Sequence, residues 1–231
     1  MLFQISKNLT LSNIKQYFKN RNEDSSRAGW YFQQFIKLSI SKLNYISNLY
    51  LIWDADAVVL KPINFLTKGN KIYLEKNKEY HKPYFDILEK LIGLEKQTNY
   101  SFIAEYLLFN KEIVNTIISK ISTKEEWWDE ILDNIDSDNL SKSGFSEYEL
   151  YGNYIYKYHK NSFEIRNLNK SRKGVKLLGN NPTKKDLKQL SLAYDYMSFE
   201  QFHKKYKPLS LRLLLIFFTI SFGILRKLIK F

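Results

Sequence analysis

The stretch LYLIWDADAVVL, residues 49 to 60, constrains the fold more than any other part of the chain. Two apolar runs flank two carboxylates set one residue apart, and the second run stops at Lys61-Pro62. The pattern predicts a buried strand, a break at Asp54 and Asp56, and a short second strand. Like charges so close repel, and burying either without compensation costs several kcal/mol, so a divalent cation is the natural neutralising partner. On an extended backbone residues i and i+2 face the same way. Both acids could then present oxygens to one hard metal, or through it to a diphosphate.

Context carries more weight here than the D-x-D tripeptide. A second acidic pair, Asp136 and Asp138, lacks a preceding apolar strand and reads as a solvated helix terminus; it also fails the EF-hand spacing. The bland alternative for Asp54 and Asp56 is a strand-end pair that caps nearby amides.

Around this stretch strands and helices alternate, which favours an α/β layered domain. GWYFQQFIKLSISKL (29–43) has the spacing of an amphipathic helix, and KIYLEK that of a strand. Helical periodicity returns over 84–94 and 110–121, with SFIAEYLLFN between them as a strand or buried turn. Residues 122–141 predict a surface helix opened by a Ser122/Glu125 capping box, with Trp127, Trp128, Ile131 and Leu132 on its apolar face. Another helix is expected to follow Gly144. Residues 161–181 are polar with short strand-like pieces, and 181–206 predict one or two short helices.

Charge divides the chain unevenly. The net charge is +12; residues 157–231 hold 17 Lys and Arg against 4 Asp and Glu, while residues 1–156 hold 19 against 20. Such a block expects an anionic partner, either phospholipid head groups or nucleic acid. The uncharged run Leu213–Leu225 would cover about 20 Å as a helix, short of the ~30 Å hydrocarbon core. Arg212, Arg226, Lys227 and Lys230 fall with Thr219 and Gly223 on one narrow arc, and Leu, Ile and Phe fill the rest. This predicts an amphipathic helix over 208–231 lying in the membrane interface. The first residues lack the pattern of a signal peptide. There is no cysteine, which removes disulfides and thiolate chemistry and fits a cytoplasmic setting.

The order GWYFQQFIKLS, LYLIW, DADAVVLKPINFL resembles the D-x-D region of GT-A-type glycosyltransferases. More closely, GWYFQQFIKLS, WDADAVVLKPI, SFIAEYLLFNKEIV and SGFSEYELYGNYI, spread over residues 29–155, resemble a bacterial glycosyltransferase family of that type catalogued as a domain of unknown function. The resemblance implies a GT-A-like fold, a Rossmann-like mixed sheet flanked by helices, over residues 1–180. A basic helical region over 181–207 and the amphipathic helix would follow. Nothing in MLFQISKNLTLSNIKQYFKN reads as strand, loop and long helix, so the first βα unit is expected to be missing.

The implied activity is transfer of a sugar from a nucleotide-sugar donor to a glycan or lipid-linked acceptor, in surface polysaccharide or lipopolysaccharide synthesis. Mn²⁺ or Mg²⁺ would neutralise the leaving diphosphate, with Asp56 the more direct ligand and Asp54 binding metal, ribose or donor sugar. His159 would be a further metal ligand. Glu147 and Glu149 are the candidates for general base; on a helix they do not share a face, so one of them, with Glu147 favoured, would reach the cleft. Trp30, Gln34 and Lys37, on the helix before the strand, could approach the nucleotide. The site would work on the inner face of the cell membrane. Two alternatives remain open: a non-catalytic membrane-associated protein derived from such a transferase, and a basic nucleic-acid-binding module using Tyr156, Tyr158 and Tyr206 as stacking platforms.

Overall fold

The computed structural model describes residues 8–200, so the predicted interfacial helix over 208–231 lies outside the described residues. The chain is a mixed α/β protein that divides into two compact units, each drawn from discontinuous stretches. Among the described residues the first unit takes 8–52 and 68–165, and the second takes 53–67 and 166–200. The sequence alone predicts a boundary at residue 180. In place of one central mixed sheet, the described strands form three small sheets of two, three and two strands.

The first unit is mainly helical. Thr10 caps α1 (Leu11–Asn20), whose Ile14 and Phe18, one turn apart, are fully buried. A short 3-10 turn capped by Asp24 leads into α2 (Ala28–Ser39). On α2 the residues Tyr31, Phe35 and Leu38 recur at helical spacing and form its core-facing stripe. Strand β1 (Leu49–Trp53) pairs with β4 (Tyr106–Asn110), and the Tyr50 and Phe109 rings stack at 5.4 Å. Strand β3 (Ile72–Glu75) pairs with β5 (Phe163–Arg166).

Pro83 opens α3 (Lys82–Ile92), and left-handed Gly93 closes it. Asn110 then caps α4 (Lys111–Ile121). The single surface helix expected over 122–141 is instead two short ones, α5 (Trp127–Asn134) and α6 (Ser137–Leu140). Its predicted capping box does not form. Ser122 closes α4 through its backbone N–H, and its side chain accepts from Lys124, so the hydroxyl is committed before a new helix can start. Trp127, Trp128, Ile131 and Leu132 are buried as the spacing requires.

At the centre lies α7 (Glu147–Tyr158), buried from Glu147 to Ile155. Its N-cap is Ser146, which accepts from the Glu149 N–H at 3.3 Å. Upstream, the Gly144 N–H donates to the Tyr31 hydroxyl at 2.7 Å and ties the entry of α7 to α2. Gly152 lets α7 sit directly on Phe102, because a Cβ there would overlap the phenyl ring.

In the second unit, β2 (Ala57–Val59) runs antiparallel to β7 (Tyr196–Ser198) with Ala57 opposite Ser198, and β6 (Lys170–Ser171) runs parallel to β7. Two short helices, α8 (Gly174–Leu178) and α9 (Lys184–Leu190), cover this sheet with a core of Leu177, Leu178, Leu190 and Met197. The three-residue β7 falls where only short helices were expected; so brief a strand leaves no period to read.

Candidate functional site

The acidic pair sits where the sequence placed it, directly after β1, but on a turn instead of an extended backbone. The Ala57 N–H donates to the Asp54 carbonyl at 3.0 Å, closing a four-residue turn over Asp54, Ala55, Asp56 and Ala57. The same-face argument from strand geometry therefore does not apply. What holds the turn is local to the second unit. The Trp53 indole N–H donates to the Ala57 carbonyl at 2.7 Å, and its ring packs edge-on against Tyr196. The Phe199 N–H donates to the Asp56 carbonyl at 2.8 Å, while the Ser198 hydroxyl donates to Asp56 Oδ1 at 3.3 Å. Asp56 is exposed and Asp54 half-buried, so the turn faces solvent.

The other candidates belong to the first unit. Trp30, Gln34 and Lys37 recur at four- and three-residue spacings on α2, and the last two meet Glu147 at the start of α7. The Lys37 ammonium lies 2.9 Å from the Glu147 carboxylate, with side chains 9% and 1% exposed. Gln34, its amide nitrogen turned toward the same carboxylate, donates to it as well. Lys37 also sits 4.5 Å from the centre of the Tyr148 ring. Trp30 lies at the edge of this cluster, stacked nearly parallel on Tyr84 at 6.3 Å. Burial, reinforced by Glu79 and Glu147, pushes the Tyr84 hydroxyl up to about 12.

Glu149 points elsewhere. It accepts from the Ser101 hydroxyl at 2.5 Å and from the Asn153 amide at 3.0 Å, and Asn153 in turn accepts from the Gln97 N–H. Burial raises its pKa, and the bonds from Ser101 and Asn153 together with the Lys96 charge oppose that rise without cancelling it. The expectation that one of the two glutamates reaches an open cleft is not met, since each is 1% exposed. Both lie in the first turn of α7, where the N-terminal dipole favours negative charge.

His159 ends α7, its N–H donating to the Ile155 carbonyl at 2.8 Å and its ring packing 5.9 Å from Tyr154. Asp136 of the second acidic pair is taken up by Lys90 at 2.6 Å. Among the described residues no three His, Asp or Glu side chains converge as ligands for one ion. The sequence reading missed Tyr84, Ser101, Asn153 and Ser198. Of these Asn153 was within reach, since it follows Glu149 by one helical turn. The others arrive from distant segments and leave no local signal.

The class that these features define is a two-unit mixed α/β protein with a solvent-facing acidic turn in one unit and a buried charged cluster in the other. Residues 5–181 match a family of unknown function, DUF6492, and the chain belongs to that family. No curated protein matches the chain.

Proposed function

We propose that this protein is a glycosyltransferase that moves a sugar from a nucleotide donor to a glycan or lipid-linked acceptor. The single observation that carries the reading is the Asp54–Ala57 turn at the carboxyl end of β1, with Asp56 exposed. Ligands of open α/β folds gather at the carboxyl ends of strands. The donor set suits a hard cation such as Mn²⁺ or Mg²⁺, which takes one or two carboxylates and completes its shell with water and substrate phosphate. Asp54 and Asp56 would hold it, and it would supply charge stabilisation to the departing diphosphate. Ser198, donating to one oxygen of Asp56, leaves the other free to face outward.

In the first unit the two glutamates have different work. Glu147 is bound to Lys37 and Gln34 and serves to fix α2 against α7. Glu149 is held by Ser101 and Asn153, and burial raises its pKa. The GT-A fold belongs to this same proposal. So does attachment to the inner face of the membrane through residues 208–231. No helix among the described residues is long and apolar enough to cross a membrane.

The test is a thermal-shift panel of UDP, GDP, CMP and their sugar conjugates, with and without Mn²⁺, on the wild type and Asp56→Ala. A ligand at 100 times its Kd adds about 2.7 kcal/mol, a shift of several degrees for a chain of this size. Stabilisation by one nucleotide class that requires both metal and Asp56 is the expected result. A flat panel in which Asp56→Ala melts like the wild type overturns the reading. It would favour a non-catalytic descendant of such enzymes, the alternative that the burial of both glutamates supports.

A further inference from the structure

Helix α9 has two faces of opposite character. Leu190 is fully buried and joins Leu177, Leu178 and Met197 in the core of the second unit. Lys184, Lys185 and Lys188 are all exposed. The one acid on the helix, Asp186, is consumed by its own N-terminus: Thr183 and Asp186 form a reciprocal capping box, with the Thr183 N–H and hydroxyl both donating to the Asp186 carboxylate. The capping bonds turn the Asp186 carboxylate toward the helix N-terminus, and with three lysines against this one acid the helix carries a net positive charge. Four residues beyond Lys188, across the turn that ends α9, Leu192 is 62% exposed. Three cations and a protruding Leu in nine residues combine the two attractions that hold an element at a bilayer surface.

From β7 the chain runs on from Ser198 into residues 201–231, which hold seven Lys and Arg and no Asp or Glu. Continuity with that basic, apolar segment, and the positive charge of the patch itself, single out the occupant. We propose that Lys184, Lys185, Lys188 and Leu192 form a docking surface for an anionic phospholipid bilayer, separate from residues 208–231. The inference rests on the membrane part of the function proposed above but needs none of its transfer chemistry.

The experiment is co-sedimentation of the full chain with phosphatidylcholine vesicles containing or lacking phosphatidylglycerol. It compares the wild type with Lys184→Gln/Lys185→Gln/Lys188→Gln, with Leu192→Ser, and with a control of identical net charge, Lys15→Gln/Lys19→Gln/Lys120→Gln, at three other exposed lysines. Each lysine near an anionic surface is worth roughly fivefold in partitioning, so the patch variant should bind about a hundredfold more weakly and the control within about threefold of the wild type. Leu192→Ser should weaken binding by several-fold, and added salt should narrow the gap between wild type and patch variant. Unchanged melting curves show that the variants fold.

Equal losses in patch and control variants would reduce the effect to net charge and overturn the proposal. A patch variant that binds like the wild type would assign all attachment to other residues and overturn it too, leaving membrane binding intact. A wild type that ignores vesicles but binds RNA in a manner lost with the patch lysines would overturn both the surface and the membrane reading.

Discussion

Replacing Lys37 with Met would leave the Glu147 carboxylate buried with the Gln34 amide as its remaining partner from α2. The side chains are 9% and 1% exposed and 2.9 Å apart, so neither charge has water to fall back on. Removing one member of such a pair costs about 3–5 kcal/mol, because the remaining charge stays desolvated. For a chain of this size each kcal/mol moves Tm by about 2–4 °C, so Lys37→Met should melt roughly 6–20 °C lower. Removing both charges behaves differently. Lys37→Met/Glu147→Leu replaces the pair with apolar volume and should recover most of the loss. Urea and thermal unfolding of the wild type, both single variants and the double variant give a double-mutant cycle, with an expected coupling of at least about 2 kcal/mol. Additive single effects, with Lys37→Met within about 2 °C of the wild type, would refute the reasoning. The pair would then be open to solvent and not a clamp between α2 and α7.

Two further outcomes follow from α7. Gly152→Ala should destabilise by about 1–3 kcal/mol, since the new methyl overlaps the Phe102 ring, and Phe102→Leu in the same chain should recover part of the loss in a urea titration. Glu149 has a raised folded-state pKa, so its protonated form is the stabilised one: its contribution is complete below the unfolded-state value and is lost as pH rises through the folded value. The stability of the wild type relative to Glu149→Gln, measured by unfolding from pH 4 to 8, should therefore fall with rising pH, and a flat difference would remove Glu149 from the account.

What could be read from the sequence was what is local. The break at Asp54 between two short strands, the helix through Tyr31, Phe35 and Leu38, and the helix over 110–121 depend on spacing within a few residues, and all are present. The Ser122/Glu125 signal was equally local and failed, because Ser122 had already been used to end α4. By spacing alone Gln34 and Lys37 could approach a nucleotide, yet both turn inward to Glu147, a partner that only the tertiary fold supplies. The basic block from residue 157 onward falls close to the point where the second unit resumes at residue 166, but the excursion of residues 53–67 into that unit left no trace in composition. Residues 53–67 leave one core for another without a linker, and nothing in their pattern names the strand they join.

That detour sets an order of assembly. Strand β2, immediately after the acidic turn, finds its partner in Tyr196–Ser198, so the turn must wait for almost all the described chain before its scaffold exists. Closing so long a loop is slow compared with forming the helices of the first unit, which are built largely from nearby contacts. Any chain cut short before Ser198 would carry Asp54 and Asp56 but not the backbone and hydroxyl that hold Asp56. The acids, written early in the sequence, would be among the last parts of the molecule to be set in place.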